Sequence, residues 1–459
     1  MRNVYGVLVA LLMSFGLAYF FIAMGIGTWA ERKLKRGGTI GAGGMRGPAP
    51  EAVFVLVPCR DEEAVIAATI ERLLAQDRAA SVVVIDDGST DATAAIVEQA
   101  MLSSAGRVRL VRRVLPNARK GKGPALNAGF REVLVAVKQR QLSPDRVVIC
   151  VMDADGRLSD GAIKATLPTF EEVSVGGVQL PVEIRNQTSL VTKMVHFEFW
   201  GYSAISQFGR NLSRTVSLGG NGQFTRLSAL LELGEAPWST SLTEDLDLSI
   251  SLAIRGWDLR MVPGASVNQQ AVTSVRKYVK QRARWFQGHM STSLRIPEVW
   301  RSKRLSNAAM LELVTYLALP FGLVLPWSIL GQIALFDFFR WLTLPSFTSA
   351  SSGLRIGLFA FAYLMSFLPN LVLAVLYYRR NETRSFLRAI GLAHLMLLFN
   401  YLSYISAWIA FVRLLRGQTS WDKTARSAEP DGSGSTATAG LVTPSASPAG
   451  ASALVQQTR

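Results

Sequence analysis

Val147-Val148-Ile149-Cys150-Val151-Met152-Asp153-Ala154-Asp155 runs six apolar residues straight into two carboxylates. A short, unbroken apolar run that ends in polar residues reads as a strand covered on both faces, as strands of parallel sheets are. Upstream lie Val53-Phe54-Val55-Leu56-Val57-Pro58, Val82-Val83-Val84-Ile85-Asp86 and Val108-Arg109-Leu110-Val111, with helical patterns between them. The alternation predicts an α/β fold around a parallel sheet. Ligands of such sheets bind beyond the carboxyl ends of the strands. Arg60-Asp61-Glu62-Glu63, Asp86-Asp87 and Asp153-Ala154-Asp155 all stand at such ends.

Outward from this region the composition changes. Residues 4–29 form an apolar run long enough to cross a bilayer, which takes roughly 20 residues. Glu31-Arg32-Lys33-Leu34-Lys35-Arg36 follows it. The length of the run and the basic cluster behind it read as an uncleaved anchor with a cytoplasmic flank rather than a signal peptide. Three more apolar stretches, 311–336, 356–378 and 386–412, follow the mixed middle. An integral, multi-pass membrane protein is expected, with its soluble domain on the cytoplasmic side; Arg379, Arg380 and Arg384 between the last two stretches agree. Arg413, Arg416, Lys423 and Arg426 after the last span disagree, since one span before the domain and three after it put the C-terminus outside. Either 311–346 crosses twice, helped by a break at Pro320 or Pro326, or that basic stretch lies on the outer surface; three spans is the reading taken.

The expected organisation is a transmembrane helix over 1–30, a basic and Gly-rich linker over 31–50 and a catalytic domain over 51–265. Amphipathic interfacial helices follow over 266–308, then transmembrane helices over 309–415 and a tail over 416–459 that turns Ala-, Ser-, Gly- and Pro-rich and disordered beyond Ser427. The net charge of +16 in a 459-residue chain is assigned to orientation and contact with anionic membrane lipid, since no nucleic-acid motif accompanies it. Cys59 and Cys150 are the two cysteines, and both read as buried thiols rather than a disulfide framework.

Each motif has an ordinary reading beside a chemical one. Asp153-Ala154-Asp155 could be a turn, but at a strand end it suits Mg2+ or Mn2+, which prefer oxygen ligands. Asp86-Asp87-Gly88-Ser89-Thr90-Asp91 could be a turn with Thr90 or Asp91 capping a helix; Asp86 or Asp87 could also accept from a pyrimidine imide N–H. Lys120-Gly121-Lys122-Gly123 lacks the Gly-Lys-Ser/Thr ending of a phosphate loop, and surface lysines are the ordinary reading; Lys122 is kept as a diphosphate contact. Thr243-Glu244-Asp245 has the look of a helix start, and its Asp245 is the chosen general base. Gln281-Arg282-Ala283-Arg284-Trp285 could be the polar face of an interfacial helix. Beside carboxylates, Arg282 or Arg284 could neutralise a leaving diphosphate and Trp285 could offer a flat face to an acceptor sugar. His196 and His289 stand apart from Cys and from each other, which argues against zinc; His289 is a candidate neighbour of Trp285.

Taken in order, these motifs resemble the family 2 glycosyltransferases, in the membrane-embedded branch that includes cellulose, hyaluronan and chitin-oligosaccharide synthases. Pro58-Cys59-Arg60-Asp61-Glu62-Glu63 resembles the opening Pro-x-x-Asn-Glu-Glu element, with Asp61 in place of Asn. Leu218-Gly219-Gly220-Asn221-Gly222-Gln223 is similar to the Gly-rich turn lining the acceptor site. Thr243-Glu244-Asp245 matches the catalytic-base motif, and Gln281, Arg284 and Trp285 match Gln-x-x-Arg-Trp. The resemblance implies a GT-A fold, Rossmann-like, with added transmembrane helices. It implies catalytic roles for Asp245, Glu244, Arg284 and Trp285, and substrate contacts from Pro58, Asp61, Glu63, Asp86, Asp87, Lys122, Asp153, Gly220, Asn221, Gln281, Arg282 and Trp285. Asp155 and Asp153 would hold the divalent cation, Mg2+ or Mn2+.

The implied activity is inverting, metal-dependent transfer from a UDP-sugar of glucose or N-acetylglucosamine type to a growing β-linked polysaccharide at the cytoplasmic face of the plasma membrane, processive and coupled to secretion. Single transfer to a lipid-linked acceptor is the alternative within enzymes, and a catalytically silent membrane scaffold the alternative outside them. No nucleic-acid partner is expected.

Overall fold

The computed structural model describes residues 2–40, 44–348, 350–380 and 385–418. Arg384, Lys423, Arg426 and the expected disordered tail lie outside the described residues.

Four strands open the soluble domain: β1 (Ala52–Cys59), β2 (Ala80–Asp86), β3 (Val108–Arg112) and β4 (Val147–Val151). They lie parallel, β1 between β2 and β4 and β3 outside β2, so their carboxyl ends share one edge. Helices cover both faces, which is why the runs are apolar throughout. Phe54, Leu56, Ile85 and Val151 pack with Leu126 and Phe130 of the Lys122–Gln139 helix. Val53, Val55, Val57 and Cys150 pack with Ile66, Ile70 and Leu73 of the Ile66–Gln76 helix. Each such aliphatic side chain removed from water contributes about 1.5–3 kcal/mol. Cys59 and Cys150 are thiols buried in that second layer, not a disulfide.

Beyond β4 come β5 (Arg157–Leu158), β6 (Val175–Gln179), β7 (Val182–Ile184), β8 (Gln223–Arg226), β9 (Asp258–Met261) and β10 (Val267–Gln269). The main sheet has seven strands in the order β3-β2-β1-β4-β8-β6-β9, and β5, β10 and β7 make a small second sheet. The parallel pairing expected from the sequence holds for β1 to β4 and stops at β8, which runs antiparallel to both β4 and β6. The reason is the turn in front of it. Gly220 (φ +69°) and Gly222 (φ +64°) adopt left-handed backbone that side chains resist, and they deliver the chain to the carboxyl end of β4, where Gly222 N–H donates to Val151 C=O at 3.0 Å. The same reversal sets Gly219-Gly220-Asn221 against Asp153.

Helix α1 (Arg2–Lys35) carries the first apolar run and continues through most of the basic cluster, so the expected linker starts later than residue 31. Glu31, buried there, pairs with Arg380 at 2.6 Å and with Lys35 at 3.0 Å. The protein is a membrane protein: Val4–Lys35, Asn307–Trp341, Ser352–Arg379 and Phe386–Leu415 are long and apolar enough to cross a bilayer. The helical segment Asn307–Trp341 includes a π-helical turn at Pro320–Val324. The amphipathic helix Val275–Thr292 packs along Phe386–Leu415.

Candidate active site

The ends of β1 and β2 are stitched together by side chains that the sequence reading had placed on substrate. Asp61 Oδ1 accepts from Thr90 N–H at 2.8 Å and Glu63 Oε2 accepts from Ala92 N–H at 2.9 Å. Asp61 and Glu63 therefore shape the loop that follows β2, and Pro58 lies inside β1, opposite Ile85. Asp91 Oδ1 accepts from Thr93 N–H at 3.0 Å beside the start of the Thr93–Ser103 helix, but the N-cap position is Ala92 and carries no side-chain cap bond, so the expected cap by Thr90 or Asp91 is corrected. Within the loop Asp86, buried, accepts from Ser89 N–H at 2.8 Å. Asp87 forms an ion pair with Arg113. Burial pushes the Asp87 carboxyl above its ordinary value, opposed by the Arg119 N–H and the Arg113 charge.

Lys122 is no surface lysine. As the first residue of its helix it reaches under the Gly-rich turn, donating to Gly220 C=O at 2.7 Å and to Asp153 Oδ1 at 2.8 Å, with Glu244 Oε1 at 3.9 Å. Burial works against its charge, yet Asp153 and Glu244 hold the ammonium above its ordinary value. Asn221 Oδ1 accepts from Asp153 N–H at 3.2 Å, while its Nδ2 donates to Gln269 at 3.1 Å. Asp155 is 2% exposed, and its main-chain oxygen accepts from Arg185 at 2.7 Å.

Thr243-Glu244-Asp245 begins the Glu244–Ala253 helix, but Thr243 makes no side-chain cap bond. Its side chain packs against Gly288, where an added Cβ would lie 2.5 Å from Thr243 Oγ1. That close approach ties the Glu244–Ala253 helix to the Val275–Thr292 helix. Glu244 and Asp245 occupy the first turn, where the helix dipole favours anions. Asp245 Oδ1 accepts from Leu246 N–H at 2.7 Å, and Oδ2 lies 2.8 Å from the place a Gly220 Cβ would take. Burial raises Asp245, opposed by Lys122, by that N–H and by Arg284. Burial, and then the Asp245 charge, raise Glu244 to about 7 against Lys122 and Arg284. Four elements distant in sequence thus converge on one point: the end of β4, the Gly-rich turn, Lys122, and the Glu244-Asp245 pair with Arg284 behind it.

Arg282 does something else. Its guanidinium is bonded to Glu198 at 2.7 Å and lies over three rings, Trp285 at 4.5 Å, Tyr278 at 5.0 Å and Phe199 at 5.2 Å. The expectation that Arg282 meets a leaving group is corrected by this box; Arg284 is the arginine whose charge acts on Glu244 and Asp245. Trp285, half-buried, stands edge-on to Phe199 at 5.9 Å with Arg282 over its ring, and Gln281 is half-buried one turn earlier. His289, the candidate neighbour of Trp285, meets the Tyr316 carbonyl at 3.0 Å; burial lowers it to about 4. Gln179, which holds Gly219 N–H at 2.7 Å and Asn221 C=O at 2.8 Å, escaped the sequence reading, as did Arg113 and Glu198. They sit on elements with no motif of their own.

Among the described residues no group of three or more His, Cys, Asp or Glu gathers as a metal cluster. Asp153 and Asp155 supply two carboxylates at a strand end. That set fits an ion that takes its other ligands from water and phosphate oxygens, as Mg2+ does.

Residues 49–288, more than half of the chain, match the family model described as glycosyltransferase like family 2. The chain belongs to that family. Among curated relatives, a beta-monoglucosyldiacylglycerol synthase of Synechocystis is 30% identical over 55% of this chain and 50% of its own length. The chain spans about half the length of that relative. A probable glycosyltransferase of Bacillus subtilis, YdaM, is 25% identical over 82% of this chain and 86% of its own. A poly-beta-1,6-N-acetyl-D-glucosamine synthase of Staphylococcus aureus is 27% identical over 53% of this chain and 56% of its own. The fold is GT-A. A mannosyltransferase of Pyrobaculum calidifontis, solved with GDP-Man and Mn2+, shares it at TM-score 0.53 and 17% identity, over 90% of this chain and 99% of that one.

Proposed function

We propose that this member of the family transfers a sugar from a UDP-sugar, of glucose or N-acetylglucosamine type, to an acceptor hydroxyl at the cytoplasmic face of the plasma membrane, with inversion. The observation that carries the reading is the position of Asp245. Its half-buried carboxylate lies against the Gly220 turn beside the Asp153 strand end, feels the charges of Lys122 and Arg284, and adjoins the helix that bears Trp285. In this reading Asp86 or Asp87 contacts the nucleotide base, and Lys122, already charged, lies beside the donor diphosphate. Asp245 takes the proton of the acceptor hydroxyl. The acceptor oxygen bonds to the anomeric carbon as the bond from that carbon to the diphosphate oxygen breaks on the opposite face. An α-linked donor then yields a β-linked product and UDP.

Asp155, with Asp153, would hold a divalent cation, whose positive charge neutralises the diphosphate when bound. The Pyrobaculum mannosyltransferase, solved in complex with Mn2+, supports that assignment. Arg284 counters charge on the departing group, and Trp285 presents its uncovered face to the acceptor.

The acceptor is taken to be a growing β-linked glycan, extended processively and coupled to secretion, as the poly-N-acetylglucosamine synthase supports. A second reading, one transfer to a membrane lipid, is favoured by the 30% identical glucosyldiacylglycerol synthase. Membranes given radiolabelled UDP-sugars with Mg2+ or Mn2+ distinguish the two: a ladder of lengths supports processive extension, and one labelled glycolipid supports single transfer. No product from any UDP-sugar overturns both.

A further inference from the structure

At its inner end α1 has two different faces. One is pinned to the domain: Met24, Gly27 and Ala30 are buried, and a Cβ on Gly27 would lie 1.9 Å from the Ile205 carbonyl oxygen. The adjoining face carries Gly25, Thr28, Trp29, Arg32, Lys33 and Arg36, at helical spacing. Together with Gly38, where the chain folds back, these residues line a cavity of ≈ 510 Å³. The stripe starts in the apolar run, passes a half-exposed tryptophan, and ends in three cations.

Among the described residues no carboxylate pairs with those cations. The last carbonyls of α1 are satisfied by main-chain donors: Arg36 N–H bonds Arg32 C=O, Gly37 N–H bonds Leu34 C=O and Gly38 N–H bonds Lys33 C=O. Glu31 is engaged by Arg380 and Lys35, so it leaves the stripe's charge standing. Among the described residues Arg32 and Arg36 form no ion pair, and Lys33 lies over the Trp29 ring at 5.2 Å. Thr28 adds a buried hydroxyl oxygen without a hydrogen-bond partner. Where a Gly25 Cβ would sit nothing lies within 4 Å, so the apolar end of the stripe is open.

We infer that this face of α1 binds one anionic glycerophospholipid of the surrounding bilayer, its phosphate among Arg32, Lys33 and Arg36, its glycerol at Thr28, and an acyl chain running past Trp29 and Gly25. The occupant follows from the two ends of the stripe. A free phosphate ion has no use for the half inside the apolar run, and a neutral lipid leaves three neighbouring cations uncompensated. Tryptophan and arginine both favour this depth, and basic residues beside a span attract anionic headgroups. The inference stands independently of the sugar-transfer reading.

The test uses the full chain in phosphatidylcholine nanodiscs containing a small fraction of phosphatidylglycerol with a photoreactive acyl chain. Labelling is expected on the peptide spanning 25–38, and R32Q/K33Q/R36Q weakens it on the order of 100-fold. A control of equal charge change, K138Q/K164Q/K303Q, and the charge-conserving R32K/R36K both retain labelling. Sample quality is read from a monodisperse elution profile, and R32K/R36K keeps the test decisive if the triple variant misfolds. Equal labelling of wild type and the triple variant overturns the inference. So does equal labelling by photoreactive phosphatidylcholine, loss of label in R32K/R36K, or displacement of the label by inorganic phosphate, which would mark a simple anion site.

Discussion

Gly220→Ala separates the geometry of the catalytic carboxylate from the stability of the fold. Gly220 has φ +69°, and an added methyl would lie 2.8 Å from Asp245 Oδ2 and 3.0 Å from Lys122 Nζ. Both neighbours are ends of side chains, so the fold survives by moving them. The left-handed backbone itself costs an alanine about 1–2 kcal/mol. Ordinary contact begins near 3.4 Å, so Asp245 must retreat by a sizeable fraction of an ångström. A catalytic group misplaced by about 1 Å loses on the order of 10²-fold in rate. Gly234→Ala is the matched control: φ is +91°, and nothing lies within 4 Å of its Cβ position. Measured by Tm and by kcat/KM for sugar transfer, the two variants should lose similar stability while only Gly220→Ala loses activity. If Gly220→Ala keeps activity within about 3-fold of Gly234→Ala, Asp245 does not work against that turn and its placement there does not limit the rate.

Further outcomes follow from the same site. Asp245→Asn should retain UDP binding by calorimetry while losing transfer by on the order of 10²–10⁴-fold. Because burial raises Asp245, the acid limb of kcat/KM should lie above that of an ordinary carboxylate; Lys122→Met, which removes a charge that lowers Asp245, should move the limb to still higher pH. Glu244 holds a proton in the folded state that the unfolded chain releases above its ordinary value of 4.5, so its contribution to stability falls as pH rises from there to about 7. Glu244→Gln should therefore narrow the difference in Tm between about pH 5 and about pH 8. Arg282→Ala, which takes the countercharge from Glu198 and leaves it the Tyr278 O–H, should cost about 3 kcal/mol in stability, whereas Arg284→Ala should lower kcat with little change in Tm.

Much of the site was legible because its chemistry sits where the pattern of apolar runs stops. The β1 to β4 strands read correctly since burial on both faces leaves an unbroken apolar signal, and Asp86, Asp153 and Asp155 mark their ends. The antiparallel β8 was hidden because Gln223-Phe224-Thr225-Arg226 is short and mixed, and only the turn glycines before it dictate direction. Side-chain choice between neighbours was also hidden. Arg282 and Arg284 are equivalent on paper, and the difference lies in Glu198 and Phe199, more than 80 positions away. Lys122 reads equally as a surface lysine or a diphosphate contact, because nothing local reveals that it will bond Gly220 and Asp153. Asp61 and Glu63 looked like ligand contacts because a carboxylate that caps a loop N–H and one that meets a substrate have the same sequence signature.

A structure of the full chain in nanodiscs with UDP and Mn2+ tests the central claim most directly. The diphosphate is expected beside Lys122 Nζ, the ion on Asp155, and the uracil at the Asp86-Asp87 loop, with Asp245 facing the vacant acceptor side. Nucleotide bound on any other surface, or Asp245 separated from the diphosphate by intervening protein, would contradict it.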